Sequence, residues 1–234
     1  MTAAGGAQAP RPGPPKPARQ WFQERPSPYP WEQDALDHVR RLLPEAEPYR
    51  AWAAFSFTAR SGRVNECDLL VAVPAGLFLI EIKSHPGELH NTGSTWNFHG
   101  PDRTRTITNP LHFNDLKSKE LRGRLQWAAR KLGMSDRIVP RVELTVFLSA
   151  PDLVSHLDEV QRIRVYGRDD GGSGLDRIWQ DFLGLPPERP ERRITPEFSR
   201  HTLPRLLETA GIRQSTGHLR FGDAWRMMPH PLDA

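Results

Sequence analysis

VNECDLLVAVPAGLFLIEIK, residues 64–83, is the stretch whose reading decides the fold. Two apolar runs, 64–73 and 77–82, flank Pro74, Ala75 and Gly76, which suit a tight turn, so the stretch predicts a β-hairpin. Alternation in the second run puts Leu77, Leu79, Glu81 and Lys83 on one face and Phe78, Ile80 and Ile82 on the other. Asp68, in the first run, then lies opposite the end that carries Glu81 and Lys83. The expected register pairs Asp68 with or near Lys83, through a two-residue loop at Ala75 and Gly76 or a four-residue loop closing on Val73 and Phe78. A three-residue loop would set Asp68 against Ile82 instead. In the expected register, paired Cβ atoms sit about 5 Å apart, with Glu81 at the diagonal distance.

Two carboxylates so close repel, which raises the proton affinity of one unless a cation neutralises them. Magnesium, or manganese in its place, suits such a corner because it takes oxygen ligands, keeps several waters and needs only one or two carboxylates. Asp68 and Glu81 are therefore the candidate metal ligands. The matching chemistry is phosphodiester cleavage by a metal-activated water, with Lys83 orienting that water or offsetting charge that develops on phosphorus. A lysine suits this role because its ammonium is a compact charge that responds to the site. The chain has 5 lysines against 27 arginines, so a lysine at position 83 departs from its general usage. The plain alternative is a solvated Glu-x-Lys pair at a strand end, worth at most about 1 kcal/mol. Asp68 in the partner strand and apolar residues at the other positions favour the metal reading.

Residues 65–87, NECDLLVAVPAGLFLIEIKSHPG, resemble the core of the nuclease-related domain (NERD) family, a branch of the PD-(D/E)xK restriction-endonuclease-like superfamily. The likeness extends to an upstream helix with an early glutamate, here Glu32 after Trp31, to Trp96, to the Asn109–Pro110 pair, and to a following helix and strand. It covers roughly residues 28 to 150. Family members often carry a glutamine shortly after the Asn-Pro pair. Phe113 and Asn114 stand there instead, so that glutamine's role is open, with Asn114 offering a shorter amide. The resemblance implies an α/β fold with a restriction-endonuclease-like core and a mixed sheet, nuclease ancestry and DNA as a partner. It implies equally an accessory role, because members occur fused to kinases and helicases.

The remainder of the 234 residues frames this core. The length suits one elaborated domain. The single cysteine, Cys67, excludes an internal disulfide and speaks against a Cys-rich zinc site, which points to a reducing cytoplasm. No stretch is apolar enough to span a bilayer, and no secretory signal is evident, so no membrane partner is expected. Residues 1–20, rich in Ala, Gly and Pro, are expected to be disordered.

A helix is expected over Pro30–Leu43, with Trp31, Ala35, Val39 and Leu42 as its apolar stripe and Pro44 ending it. Glu32 borders that stripe. It either faces the metal corner, as the resemblance implies, or simply favours the helix dipole. A strand over Ala51–Thr58 precedes the hairpin. Residues 85–110 read as an irregular polar excursion in which Arg103 and Arg105 are candidate phosphate contacts, while Trp96 reads better as core filling. His85, His90, His99 and His112 lie in or near it, as surface histidines or as a second metal site or general base.

Leu116–Leu132 has helical spacing with Leu121, Leu125, Ala128 and Leu132 inward. Lys117, Lys119 and Arg122 belong to a basic face that is either solvated surface or a nucleic-acid contact. The net charge of +4 favours nucleic acid only mildly. A strand over Arg141–Ser149 completes the core.

Residues 151–216 read as a C-terminal addition, with a short strand at Ile163–Tyr166, a helix at Leu175–Leu183, a connector at Pro186–Pro196 and a helix at Pro204–Ala210. The glycine-rich GGSG, residues 171–174, lacks the lysine and spacing of a phosphate-binding loop. Residues 217–234 read as a linker towards a further domain. Their FGDAWRMM, residues 221–228, is similar to the lead-in of bacterial serine/threonine kinase domains. With the Pro-rich start, it makes the chain resemble the N-terminal part of the large kinases of phage-growth-limitation (BREX type 2) systems. That likeness implies phage-defence proteins as partners.

Overall fold

The computed structural model describes residues 20–23, 25–168, 172–178 and 193–212, except the side chains of residues 112–114. The expectations for the N-terminal tail before Gln20, for most of the connector near residue 190 and for the tail 217–234 lie outside the described residues, as does Gly171.

The chain starts with β1 (Trp21–Phe22), then α1 (Pro30–Leu42), β2 (Arg50–Thr58), β3 (Val64–Val73) and β4 (Gly76–Lys83). A second group follows: β5 (Glu88–Asn91), β6 (Thr95–His99) and β7 (Thr104–Thr108). Then come α2 (Pro110–Lys131), β8 (Val142–Leu148), β9 (Val154–Ser155), β10 (Val165–Gly167), β11 (Asp176–Arg177) and α3 (Leu203–Thr209). The main sheet runs β1-β2-β3-β4-β8-β10-β11 and the smaller one β7-β6-β5-β9. The hairpin strands are antiparallel, whereas β8 lies parallel to β4 and to β10. The result is the expected mixed α/β core of helix, three strands, helix and strand.

Each helix covers one face of the main sheet. α1 buries Ala35, Leu36 and Val39 against Leu69, Val71, Ile80 and Phe147. The expected stripe was wider. Trp31 and Leu42 stay exposed, and Trp31 instead stacks on Tyr29 with ring centroids 5.2 Å apart. α2 buries Leu121, Leu125 and Ala128 on the opposite face, against Leu70, Leu77, Leu79 and residues of α3. Each aliphatic side chain fully removed from water contributes roughly 1.5–3 kcal/mol, so this two-sided burial fixes which way every strand residue points. β8 is buried along nearly its whole length, as suits a parallel strand covered on both sides.

α2 begins six residues earlier than its apolar spacing suggests. Asn109 caps it by accepting from the backbone N–H of Leu111 at 3.0 Å, and Pro110 occupies the first turn, where its missing N–H costs nothing. The expected irregular excursion is also corrected. Residues 88–108 form three antiparallel strands, on whose inner face Leu89, Trp96 and Phe98 are fully buried against Val146, Leu148 and Leu153. Beyond β8, the expected helix from Leu175 is replaced in its described part by strand β11, paired in parallel with β10.

Candidate active site

The hairpin closes through a two-residue turn of Pro74 and Ala75, with Val73 paired to Gly76 and Leu69 to Ile80. This corrects the expected register by two residues. Continued one step, the pairing sets Asp68 against Glu81 rather than against Lys83. The physical reason lies in Pro74. The expected two-residue loop would have placed it in the ladder, where it has no N–H to donate, whereas a turn position suits its fixed φ. A two-residue slip preserves the face of every side chain, so the three polar groups still converge.

The ladder itself stops just before Asp68. Its Oδ2 accepts from the backbone N–H of Ile82 at 2.7 Å, so the carboxylate takes the place of a main-chain partner. On the other side, β2 is interrupted opposite Asp68 by Ala54, whose φ of +51° lies in the left-handed region. Asp68 thus sits at a break in both of its pairings, which opens the sheet beside its carboxyl group.

Glu81 lies between two ammonium groups. Lys83 Nζ is 2.7 Å from its Oε1 and Lys117 Nζ is 2.8 Å from its Oε2. Burial alone would raise the proton affinity of Glu81, but the two lysines outweigh it and hold the carboxyl below its ordinary value. Lys117, in turn, is held above its ordinary value because its contact with Glu81 outweighs its own burial. Asp68 has no such partner. Burial, then repulsion from Glu81, pushes it up to about 7. Glu32, from α1, is raised by burial despite a hydrogen bond with Ser27, and it feels the charges of Lys83, Glu66 and Glu81. Its carboxyl therefore belongs to the same electrostatic neighbourhood.

The structure therefore brings Asp68, Glu81, Lys83 and Glu32 together and adds Lys117 to them. Lys117 had been grouped with the basic face of α2, yet it is largely buried against Glu81. A signal for this exists in the sequence: Lys117, Leu121, Leu125 and Ala128 follow at helical spacing, so Lys117 extends the inward stripe. The other basic candidates divide. Lys119 is exposed and pairs with Asp115 on its own helix, and Arg122 donates to the Pro140 carbonyl at 3.2 Å. Arg103 and Arg105 are exposed on β7 and its approach, near enough to His85 to matter. Burial first, then Arg105, Lys83 and Arg103, brings His85 down to about 4, so it is a neutral imidazole beside the lysine.

The donor set fits a hard divalent cation. Asp68, Glu81 and Glu32 present only carboxylate oxygens, three acidic groups against the two ammonium groups of Lys83 and Lys117. Burial, then Glu81, raises the proton affinity of Asp68, and a cation bound between the carboxyls would lower it. Cys67, next to it, takes no part: burial pushes its thiol far above the ordinary value.

A family model described as nuclease-related domain (NERD) matches residues 27–148. Among curated proteins, the "Probable kinase PglW" of Streptomyces coelicolor is 32% identical over 204 residues, which make up 86% of this chain and 12% of that protein. The chain thus spans a small part of the relative's length. No solved structure matches it significantly.

Proposed function

The chain belongs to the nuclease-related domain family, and from that premise we propose that it is a magnesium- or manganese-dependent nuclease that hydrolyses DNA phosphodiester bonds. The observation that carries the reading is the convergence of Asp68 and Glu81 at a break in the sheet, with Lys83 and Lys117 on the two oxygens of Glu81. Asp68 and Glu81 would hold the ion, with Glu32 in support. A divalent ion bound there supplies Lewis acidity to the phosphate and a water acidified towards hydroxide.

The chain's own groups do the rest. Lys83 offsets the negative charge that grows on the phosphate oxygens as the new P–O bond forms and the old one breaks. Lys117 holds Glu81 in place and keeps it ionised. Arg103 and Arg105 supply phosphate contacts at the mouth of the corner, since exposed guanidinium groups position a backbone without reading bases. The likeness to a kinase-associated protein favours a setting inside a larger phage-defence protein, with phage-defence partners.

One observation favours a second reading, in which the domain binds nucleic acid or a partner and positions an attached kinase without cutting. Both oxygens of Glu81 are already engaged by lysines. If those contacts outlast exposure to metal, Glu81 is a structural anchor and not a ligand.

Cleavage of plasmid, linear duplex and single-stranded DNA in magnesium, manganese or EDTA separates the two. The nuclease reading predicts metal-dependent cutting that falls a hundredfold or more in Asp68→Ala and in Lys83→Ala. Salt-sensitive DNA binding with no cutting in any metal would leave the second reading standing.

A further inference from the structure

The small sheet has an outer face that the nuclease chemistry does not use. In register, Glu88 stands opposite His99 and His90 opposite Asn97, so these four side chains share one side of the β5-β6 pair. Strand β9 adds to the other edge of β5 in parallel, with Glu88 against Val154 and Leu89 against Ser155. The backbone N–H of His156 then donates to the Leu89 carbonyl at 2.9 Å, which carries the pairing one residue on and brings His156 alongside His90. The two imidazoles are stacked, with centroids 4.3 Å apart and planes 15° from parallel.

Their nitrogens converge on one carboxylate. His156 Nε2 lies 3.4 Å and His90 Nε2 3.6 Å from Glu88 Oε2, and one donor atom from each of the three residues lies within 4.8 Å of the other two. These separations exceed a good hydrogen bond, which spans about 2.7–3.2 Å. They match the separation of two ligands on one ion: donors about 2.1 Å from a tetrahedral centre lie about 3.4 Å apart. Two segments more than sixty residues apart in sequence thus bring two nitrogens and an oxygen within 4.8 Å of one another at the surface, and a turn of the stacked rings would aim both nitrogens at one ion.

We propose that Glu88, His90 and His156 form a transition-metal site, distinct from the carboxylate corner at Asp68 and Glu81. Two imidazoles and a carboxylate select borderline ions such as Zn2+ over Mg2+, whose preference is for oxygen. Three protein ligands leave at least one position for water or an incoming group. His99 extends the same surface: its ring lies 5.2 Å from that of His90 and its Nδ1 is 3.0 Å from Thr104 Oγ1, which fixes the ring beside the site. Bound metal would clasp β9 to β5, tying the segment after β8 to the small sheet.

The test is a calorimetric titration of the full 234-residue chain, stripped by chelator, with Zn2+, together with the visible spectrum of the Co2+ form. The wild type is expected to take up one tight equivalent, with Co2+ absorption showing nitrogen ligation. His90→Ala, His156→Ala and Glu88→Gln should each weaken that equivalent tenfold or more. All three lie at the surface, and an unchanged unfolding midpoint without metal shows that each is folded. Asp68→Asn should leave the Zn2+ equivalent intact. Absence of a saturable equivalent, or a wild-type isotherm in folded His156→Ala, would overturn the proposal.

Discussion

Glu81 shows how much one side chain's partners decide. With Lys83 on one oxygen and Lys117 on the other, its carboxyl is held below the ordinary value although buried, whereas Asp68, close by with a single backbone donor, is pushed up to about 7. The two carboxyls therefore respond to pH in opposite senses. Asp68 is raised from 3.8 to about 7, so the folded state binds its proton more tightly than the unfolded chain. Its stabilising contribution is full below about 4 and is lost as pH rises through about 7. Glu81 is lowered, so its contribution is present above the ordinary carboxylate value and is lost only on further acidification. His85, lowered from 6.5 to about 4, makes stability rise with pH across part of the Asp68 window and masks it. The difference between wild type and Asp68→Asn isolates the aspartate. Denaturant unfolding in EDTA is expected to show the wild type losing stability relative to the variant between pH 4 and 7, on the order of 2–4 kcal/mol. Lys117→Ala removes one of the two cations on Glu81, and we expect steady-state cleavage rates to fall about 10- to 100-fold with little change in KM. The shared face of Glu81 and Lys83 was legible because period-two alternation needs only local sequence, whereas the place of Asp68 beside them depended on a register that was misjudged by two residues. The part of Lys117 was not legible, because a lysine on a basic helix reads as solvated until the sheet beneath it is known.

At the level of elements, the hairpin and both helices announced themselves through period, turn residues and, for α1, Pro44, while the start of α2 at Pro110 was missed. The small sheet did not. Its strands β5, β6 and β7 are four or five residues long, and their apolar members, Leu89, Trp96, Phe98 and Ile107, are too sparse among polar neighbours to make a strand signal. What makes them strands is tertiary: the apolar surface of Val146, Leu148 and Leu153 against which they close. Gly87 is the hinge into this sheet. Its φ is +93°, and a Cβ there would lie 2.2 Å from the His99 carbonyl oxygen, a backbone atom that cannot yield. Gly87→Ala is therefore expected to lower stability by about 2 kcal/mol or more in denaturant unfolding, through strain and clash combined. An unchanged midpoint would show that β5 enters the sheet along another path. The hairpin register was misjudged by two residues for a similarly local reason, the preference of Pro74 for the turn over the ladder, and the parity of that error left the site's face correct.

Across the molecule, the arrangement is a mixed sheet held between α1 and α2, with the carboxylate corner where the sheet opens and the small sheet raised beside it. The resemblance of residues 65–87 pointed to this core. Of the later strands, β10 lies near the expected Ile163–Tyr166, shifted to Val165–Gly167, whereas β9 and β11 could not be read because each pairs for only two residues. No helix among the described residues is long and apolar enough to cross a membrane. With a net charge of only +4, affinity for DNA should rest on a few local contacts and not on a broad basic field. Filter binding across salt concentrations should accordingly give a shallow log–log slope. The doubly substituted Arg103→Ala, Arg105→Ala chain should reduce its magnitude by about 0.9 for each phosphate contact removed. The central claim, that the corner at Asp68, Glu81 and Lys83 cuts DNA, is tested most directly by separating binding from chemistry. The chain is first bound to a labelled duplex in EDTA, excess magnesium is then added, and product is followed in a single turnover. The account predicts that strand breaks appear only after magnesium and that Lys83→Ala binds equally but does not cut; a wild-type complex that stays intact under magnesium and manganese alike would contradict it.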